Sequence, residues 1–292
     1  MMKQAGLLNK GSCMKRRNEI ILFFAVLCFV NTNFVLAGDS RKRISSLTHD
    51  FSNASDIEAE IRFGRNLSAR ILGNYSLLKD ERINHYVGLV GTGISQYSGR
   101  PELKFYFAVL ESNEVNAFAS PGGYIFITQG ALMEMENEAQ LAAVLGHEIA
   151  HVVMRHVVNS LKIRGGGDSA EKGIASLIGG STGSFREAFE RSLDEAAEIL
   201  FEKGYKIEEE IEADRVGILI AASAGYDPSA LRDFLIKIKH FETDNKKGGS
   251  EHPSYRIRMQ EIEKTVVSNS LMDVKNAKVR KRFYEYIKSN RS

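Results

Sequence analysis

The sequence predicts an α+β fold, mainly helical, with one small sheet. Three observations predict it. Apolar residues recur at helical spacing in long stretches, beginning with Ile57, Ile61, Leu67, Ile71 and Leu72. Two short runs rich in aromatic and β-branched residues lie either side of a Pro-Gly-Gly turn. Residues 136–158 are apolar almost all round, the pattern of a buried helix.

Taken in order, the chain opens with a leader. "MKRRNEIILFFAVLCFVNTNFVLAG" has a basic start, an apolar run over residues 20–30, and Val35-Leu36-Ala37 before Gly38. That order is a secretory signal with cleavage after Ala37, and Met14 is a second candidate start. The apolar run is too short to span a hydrocarbon core of about 30 Å. Residues 38–54 read as a polar lead-in. The main domain follows over 55–270, and 271–292 read as a basic helical tail. Within the domain, residues 56–97 are helical in pattern, with Ser55 or Asp56 as cap. "LKFYFAVLES" is a strand, and Tyr124–Thr128 is a second strand after the turn Pro121-Gly122-Gly123. The buried helix over 136–158 comes next. Residues 165–184 hold seven glycines and break the pattern; they are expected to form a mobile lid. Helices resume over 185–202, over 208–224 and, after Asp227-Pro228, through residue 241. "DNKKGGSEHPSYRIR" reads as a loop.

Composition excludes several classes. Hydrophobic residues are 43% and charged residues 26%, a globular balance. The formal charge of +2 comes from the leader; beyond residue 37 there remain 34 basic and 36 acidic residues, so no basic field argues for nucleic acid. The two cysteines, Cys13 and Cys28, lie in the leader. The exported protein therefore has neither disulfides nor thiolate metal ligands. No repeat of 20–50 residues predicts a helical-repeat extension.

The chemistry concentrates in "LAAVLGHEIAHVVMRH". His147 and His151 are four apart, on one helix face, and can offer ring nitrogens to a single ion. Glu148 sits one residue round, near the metal without being forced to ligate it, as suits a base acting on metal-bound water. A buried helix does not retain two histidines and a glutamate without partners. A catalytic zinc needs a third protein ligand, here His, Asp or Glu. "EEIEADRVG" offers Glu210 and Asp214, four apart; one can ligate while the other holds a ligand histidine. Glu212 is rotated away and expected in solvent. His156, five after His151, faces away unless the helix is distorted. His49, His85 and His240 have no ligand partner in the sequence.

Four blocks, "NAFASPGGYIFITQGAL", "LAAVLGHEIAHVVMRH", "EEIEADRVGILIAASAGYDPSAL" and "EHPSYRIRM", carry a resemblance. They resemble the zinc metallopeptidase family of Ste-type CAAX proteases, HtpX, BepA and the mitochondrial OMA-type proteases, and most of all its BepA-like branch. The resemblance implies a zincin fold of the gluzincin type, with a small antiparallel sheet beside the HExxH helix. It implies one Zn(2+) per chain, held by His147, His151 and Glu210. It implies Glu148 as general base, Asp214 as the orienting acid, and Arg258 beside it. His252, of the family's His-Pro motif, is expected either to stabilise the oxyanion or to close the zinc as an autoinhibitory ligand. Asn116, Ala117, Phe118, Gly122, Gly123 and Tyr124 are expected to bind substrate, with Tyr124–Thr128 as the sheet edge that pairs with an extended peptide. The expected protein is a periplasmic zinc endopeptidase acting on unfolded or misfolded envelope proteins. It has no nucleic-acid partner, and its basic tail is suited to peripheral contact with anionic lipid. The rival expectation is a latent metal-holding chaperone or assembly factor with little basal proteolysis.

Overall fold

The structure is a computed structural model that describes residue 44 and residues 54–161, 183–244, 255–271 and 277–289. The leader, most of the lead-in, residues 165–182 of the expected lid and the loop carrying His252 lie outside the described residues. No helix among the described residues is long and apolar enough to cross a membrane.

Helix α1 (Ala54–Asn74) buries Ala59, Phe63, Leu67 and Ile71, a stripe at spacings of four that faces the rest of the protein. It does not run on to residue 97. Asp80 accepts from the backbone N–H groups of Arg82 and Ile83 and so starts a separate helix, α2 (Glu81–Ser95). The intervening chain pairs with the first strand: Leu78 N–H donates to the Val109 carbonyl, and Glu111 N–H donates to that of Ser76.

The sheet has three strands, β1 (Tyr106–Leu110), β2 (Ala117–Ser120) and β3 (Tyr124–Thr128), in the order β1-β3-β2. β3 is antiparallel to β2 and parallel to β1. Two expectations are corrected here. The sheet is mixed rather than antiparallel, and Tyr124–Thr128 is its central strand rather than its edge. The physical reason is the short strand β2, "AFAS", four residues of which only Phe118 carries a β signal. It forms a hairpin with β3 through Pro121-Gly122-Gly123. Gly122 and Gly123 take left-handed φ values of 76° and 98°, and a side chain on either would strike backbone of Ile61 or Lys104. With β1 partly covered by residues 76–78, the outer side of β2 is the edge without a strand among the described residues.

Behind the sheet runs α4 (Glu138–Val153), all sixteen residues of which are buried; the short α3 (Gln129–Glu134) precedes it. The chain reverses at Arg155 and forms α5 (His156–Ser160). α6 (Gly183–Glu198), ending in a π-helical turn Ile199–Lys203, covers α1. α7 (Ile207–Ser223) lies along α4, and α8 (Ala230–Asp244) and α9 (Tyr255–Ser268) pack on this pair. Gly146 and Gly217 mark the crossing of α4 and α7. A Cβ on Gly217 would lie 2.6 Å from His147 N, and one on Gly146 would lie 2.8 Å from Gly217 O. The basic C-terminal segment docks by its apolar residues and leaves Arg280, Lys281 and Arg282 exposed. α10 (Arg280–Phe283) and the π-helical turn Tyr284–Lys288 bury Phe283 and Ile287 and stack Tyr286 on Tyr86 at 4.6 Å.

Candidate metal centre

The centre is built where α4 and α7 touch. Asn137 caps α4 by accepting from Gln140 N–H, and the helix then carries His147 and His151 on one face. Their Nε2 atoms lie 3.0 Å apart. Glu210, on α7, places Oε2 3.6 Å from His147 Nε2 and Oε1 3.8 Å from His151 Nε2. Ligand atoms around a tetrahedral ion with bonds near 2.0–2.1 Å stand roughly 3.3 Å apart. Two imidazole nitrogens and a carboxylate oxygen at these separations fit such an ion. The three residues form a buried group able to hold a metal.

The other ring nitrogen of His147 lies 2.9 Å from Asp214 Oδ1. A proton held there leaves the Nε2 lone pair free to face the ion. Arg258, on α9, grips Asp214 with a two-pronged contact: Nε donates to Oδ2 at 2.8 Å and a terminal nitrogen to Oδ1 at 2.7 Å. Its third nitrogen stands 3.2 Å from Glu210 Oε2. Burial pushes the Asp214 carboxyl up, but the charge and hydrogen bonds of Arg258, with the His147 hydrogen bond, outweigh it and hold the group at about 2. Burial lowers His147; its bond to Asp214 and the charges of Asp214 and Glu210 prevail and raise it above the ordinary histidine value. A proton and a metal therefore compete for this ring.

Glu148 is 8% exposed. Burial pushes its carboxyl up to about 7, against the charge of His147 and with that of Glu210. A carboxylate poised near neutrality can accept a proton and return it.

Among the other expected site residues, Asp214 and Arg258 come together with the histidines and Glu210. His252 lies outside the described residues. Phe118 points into a core cluster with Ile71, Leu110 and Phe126. Gly122 and Gly123 are pressed against Ile61 and Lys104, and Tyr124 stacks on Tyr106 at 5.2 Å. These four therefore offer no side chain to the centre. Asn116 spends its side-chain oxygen on Ala117 N–H, ordering the start of β2.

Two features escaped the sequence reading, and a third was left open by it. Tyr205 lies over the His151 ring, centroids 4.0 Å apart; burial, then the charges of Glu148 and Glu210, raises its hydroxyl well above the ordinary value. His156 meets the His151 ring, the outcome left open for a distorted helix, because the helix is broken at Arg155. Glu212 is not free in solvent but stands 3.1 Å from His156 Nε2. Spacing alone gave no sign of these, since no glycine or proline marks the break.

The model of the family described as Peptidase family M48 matches residues 81–266, the segment that carries all of these groups. The chain is 26% identical over 216 residues to the beta-barrel assembly-enhancing protease of Escherichia coli (strain K12), covering 68% of this chain and 42% of that protein. It is 30% identical over 232 residues to the mitochondrial metalloendopeptidase OMA1 of Schizosaccharomyces pombe, covering 77% and 64%. To OMA1 of Arabidopsis thaliana it is 30% identical over 174 residues, covering 56% and 33%. The chain thus spans less than half the length of the bacterial relatives it matches.

Proposed function

The chain belongs to peptidase family M48, and from that premise we propose that it is a zinc-dependent endopeptidase of the bacterial cell envelope. The observation that carries the proposal is the convergence of His147 Nε2, His151 Nε2 and a Glu210 carboxylate oxygen, with the Glu148 carboxyl beside them. Two histidines, one carboxylate and no thiolate suit zinc with a position left for water. When bound, zinc acidifies that water and polarises the scissile carbonyl. This chain's residues do the rest. Glu148 takes the proton as the peptide is attacked and passes it to the leaving amine. Asp214, fixed by Arg258, keeps the proton of His147 on the nitrogen turned away from the centre. His252, expected near the centre from the His-Pro motif, serves the oxyanion or closes the resting site.

Substrate is assigned to β2 rather than to β3. β2 is the strand edge with no strand beside it among the described residues. Its start, Asn116 and Ala117, is partly exposed while Phe118, Ala119 and Ser120 are buried, and Ala119 and Pro121 border His151. An extended peptide added at Asn116 and Ala117 is held by its main chain, with weak preference for side chains. Such binding selects for unfolded segments, which supports misfolded envelope proteins as substrates. The leader and the bacterial relatives' name support the periplasm. The test is cleavage of casein by the purified protein, with its metal measured in the same sample. We expect about one zinc per chain and cleavage that Glu148→Gln abolishes while the zinc stays. Zinc bound with no cleavage of any unfolded substrate would sink the peptidase reading.

A further inference from the structure

We propose that His156, fixed in turn by Glu212, is a positioning residue that sets the tautomer and ring plane of His151; the proposal rests on the metal reading above. On an unbroken helix, a residue five beyond His151 lies roughly 140° around the axis and cannot meet it. Here α4 stops at Val153, and Arg155 adopts the left-handed conformation, φ 56° and ψ 36°. That conformation is costly for arginine. It is held from outside, because Arg155 Nε lies 3.1 Å from the buried carboxylate of Glu60, which Arg100 also approaches at 3.2 Å. The turn swings His156 back, and its Nδ1 comes to 2.8 Å from His151 Nδ1. His156 is 2% exposed, so no water shell competes.

Two ring nitrogens at that distance share one proton, and only one placement leaves a metal ligand. If His151 Nδ1 donates, its Nε2 lone pair faces the metal position. His156 Nδ1 then accepts, and the remaining N–H of His156 is on Nε2. That nitrogen stands 3.1 Å from Glu212 Oε2, an acceptor that suits an N–H there. With the opposite placement, His151 would carry its proton on Nε2, 3.0 Å from His147 Nε2, and close the position. Glu212 therefore selects the binding-competent tautomer through an intervening imidazole. His147 receives the same service from Asp214 directly. Tyr205 stacks on the His151 ring and limits its rotation about the same axis of choice.

The experiment uses the chain labelled with 15N-histidine, as wild type, Glu212→Ala and His156→Leu. Zinc affinity is read by competition with a chromophoric chelator, and the tautomer of His151 by long-range 15N–1H correlation on metal-free protein. Glu212 is partly exposed, so its substitution tests the proposal even where His156→Leu fails to fold. We expect Glu212→Ala to weaken zinc by about 10-fold or more, in the range usual for groups that orient ligands. We expect His151 to be protonated on Nδ1 in wild type and to lose that preference in Glu212→Ala. His156→Gln, which keeps an acceptor for His151, should recover part of the affinity lost in His156→Leu. A folded Glu212→Ala protein with wild-type zinc affinity and an unchanged His151 tautomer would overturn the proposal. A wild-type protein that takes up no zinc would overturn the metal reading instead, and the tautomer spectra would still decide this one.

Discussion

At Glu148, two demands act on one carboxyl group. Catalysis wants it buried beside the metal position, and burial raises it from 4.5 to about 7. The folded, metal-free protein thus holds a proton that the unfolded chain has released. Stability from this group is unimpaired below pH 4.5, falls as pH rises from 4.5 to 7, and stays lowered above that. The shift corresponds to about 3 kcal/mol. Glu148→Gln should therefore raise the melting temperature of metal-free protein at pH 8 and leave it nearly unchanged at pH 4.5, while abolishing turnover. Equal melting temperatures of the two proteins at pH 8 would contradict the burial argument. Asp214 has the opposite sign. Its carboxyl is held at about 2, below its ordinary 3.8, so its contribution is complete above 3.8 and disappears as pH falls through 2. Asp214→Asn leaves Arg258 buried with Glu210 as its remaining carboxylate partner. A loss of about 2–4 kcal/mol in urea unfolding at pH 7 is expected, shrinking toward pH 2.

Between elements, the decisive contact is the crossing of α4 and α7. It brings Glu210 to the histidines only because Gly146 and Gly217 let the backbones meet. Gly217→Ala places a methyl group 2.6 Å from His147 N and must push the helices apart. We expect a cost of about 1–3 kcal/mol from overpacking and a clear loss of metal affinity. Gly88→Ala is the control: it sits within α2, where an added Cβ meets nothing within 4 Å. Removing a mid-helix glycine there should stabilise by about 0.5–1 kcal/mol with metal binding unchanged. Chelator competition and thermal melts on both variants check the contrast; similar metal affinities would show that the crossing has slack.

For the molecule as a whole, the C-terminal segment is tied to the metal-bearing helix. Glu138, in the first turn of α4, is completely buried. It accepts from Tyr86 at 2.5 Å, from Tyr226 at 2.7 Å and from Arg282 Nε at 2.7 Å. Burial raises this carboxyl, but Arg282 and the two tyrosines outweigh it and hold it below the ordinary value. Arg282→Ala leaves a buried carboxylate without its cation. Arg282 is more than half exposed, and the two tyrosines still donate to Glu138. We therefore expect a loss of about 1–3 kcal/mol in urea unfolding, with Arg282→Met no better, since what is missing is charge. A loss under about 0.5 kcal/mol would mean that water satisfies Glu138 once the arginine is gone.

The chain by itself determined the helical class, the buried helix over 136–158 and its pair of histidines. Periodicity and spacing are local properties, and a one-residue step on a helix fixes which groups share a face. Glu210 and Asp214 were legible as a pair for the same reason, though their roles came from resemblance and now rest on a proposal. Strand order was not legible. β2 is four residues long, three of them small, and whether β3 lies at an edge or the centre depends on which neighbour the chain brings to each side. The approach of His156 was decided only in three dimensions. A left-handed arginine, held by a glutamate 95 residues earlier, turns a histidine that its helix position points away. The docking of the basic C-terminal segment through Phe283, Ile287 and Arg282 has the same origin. Its charge reads as solvated until the tertiary structure supplies Glu138, a partner 144 residues distant, inside the core.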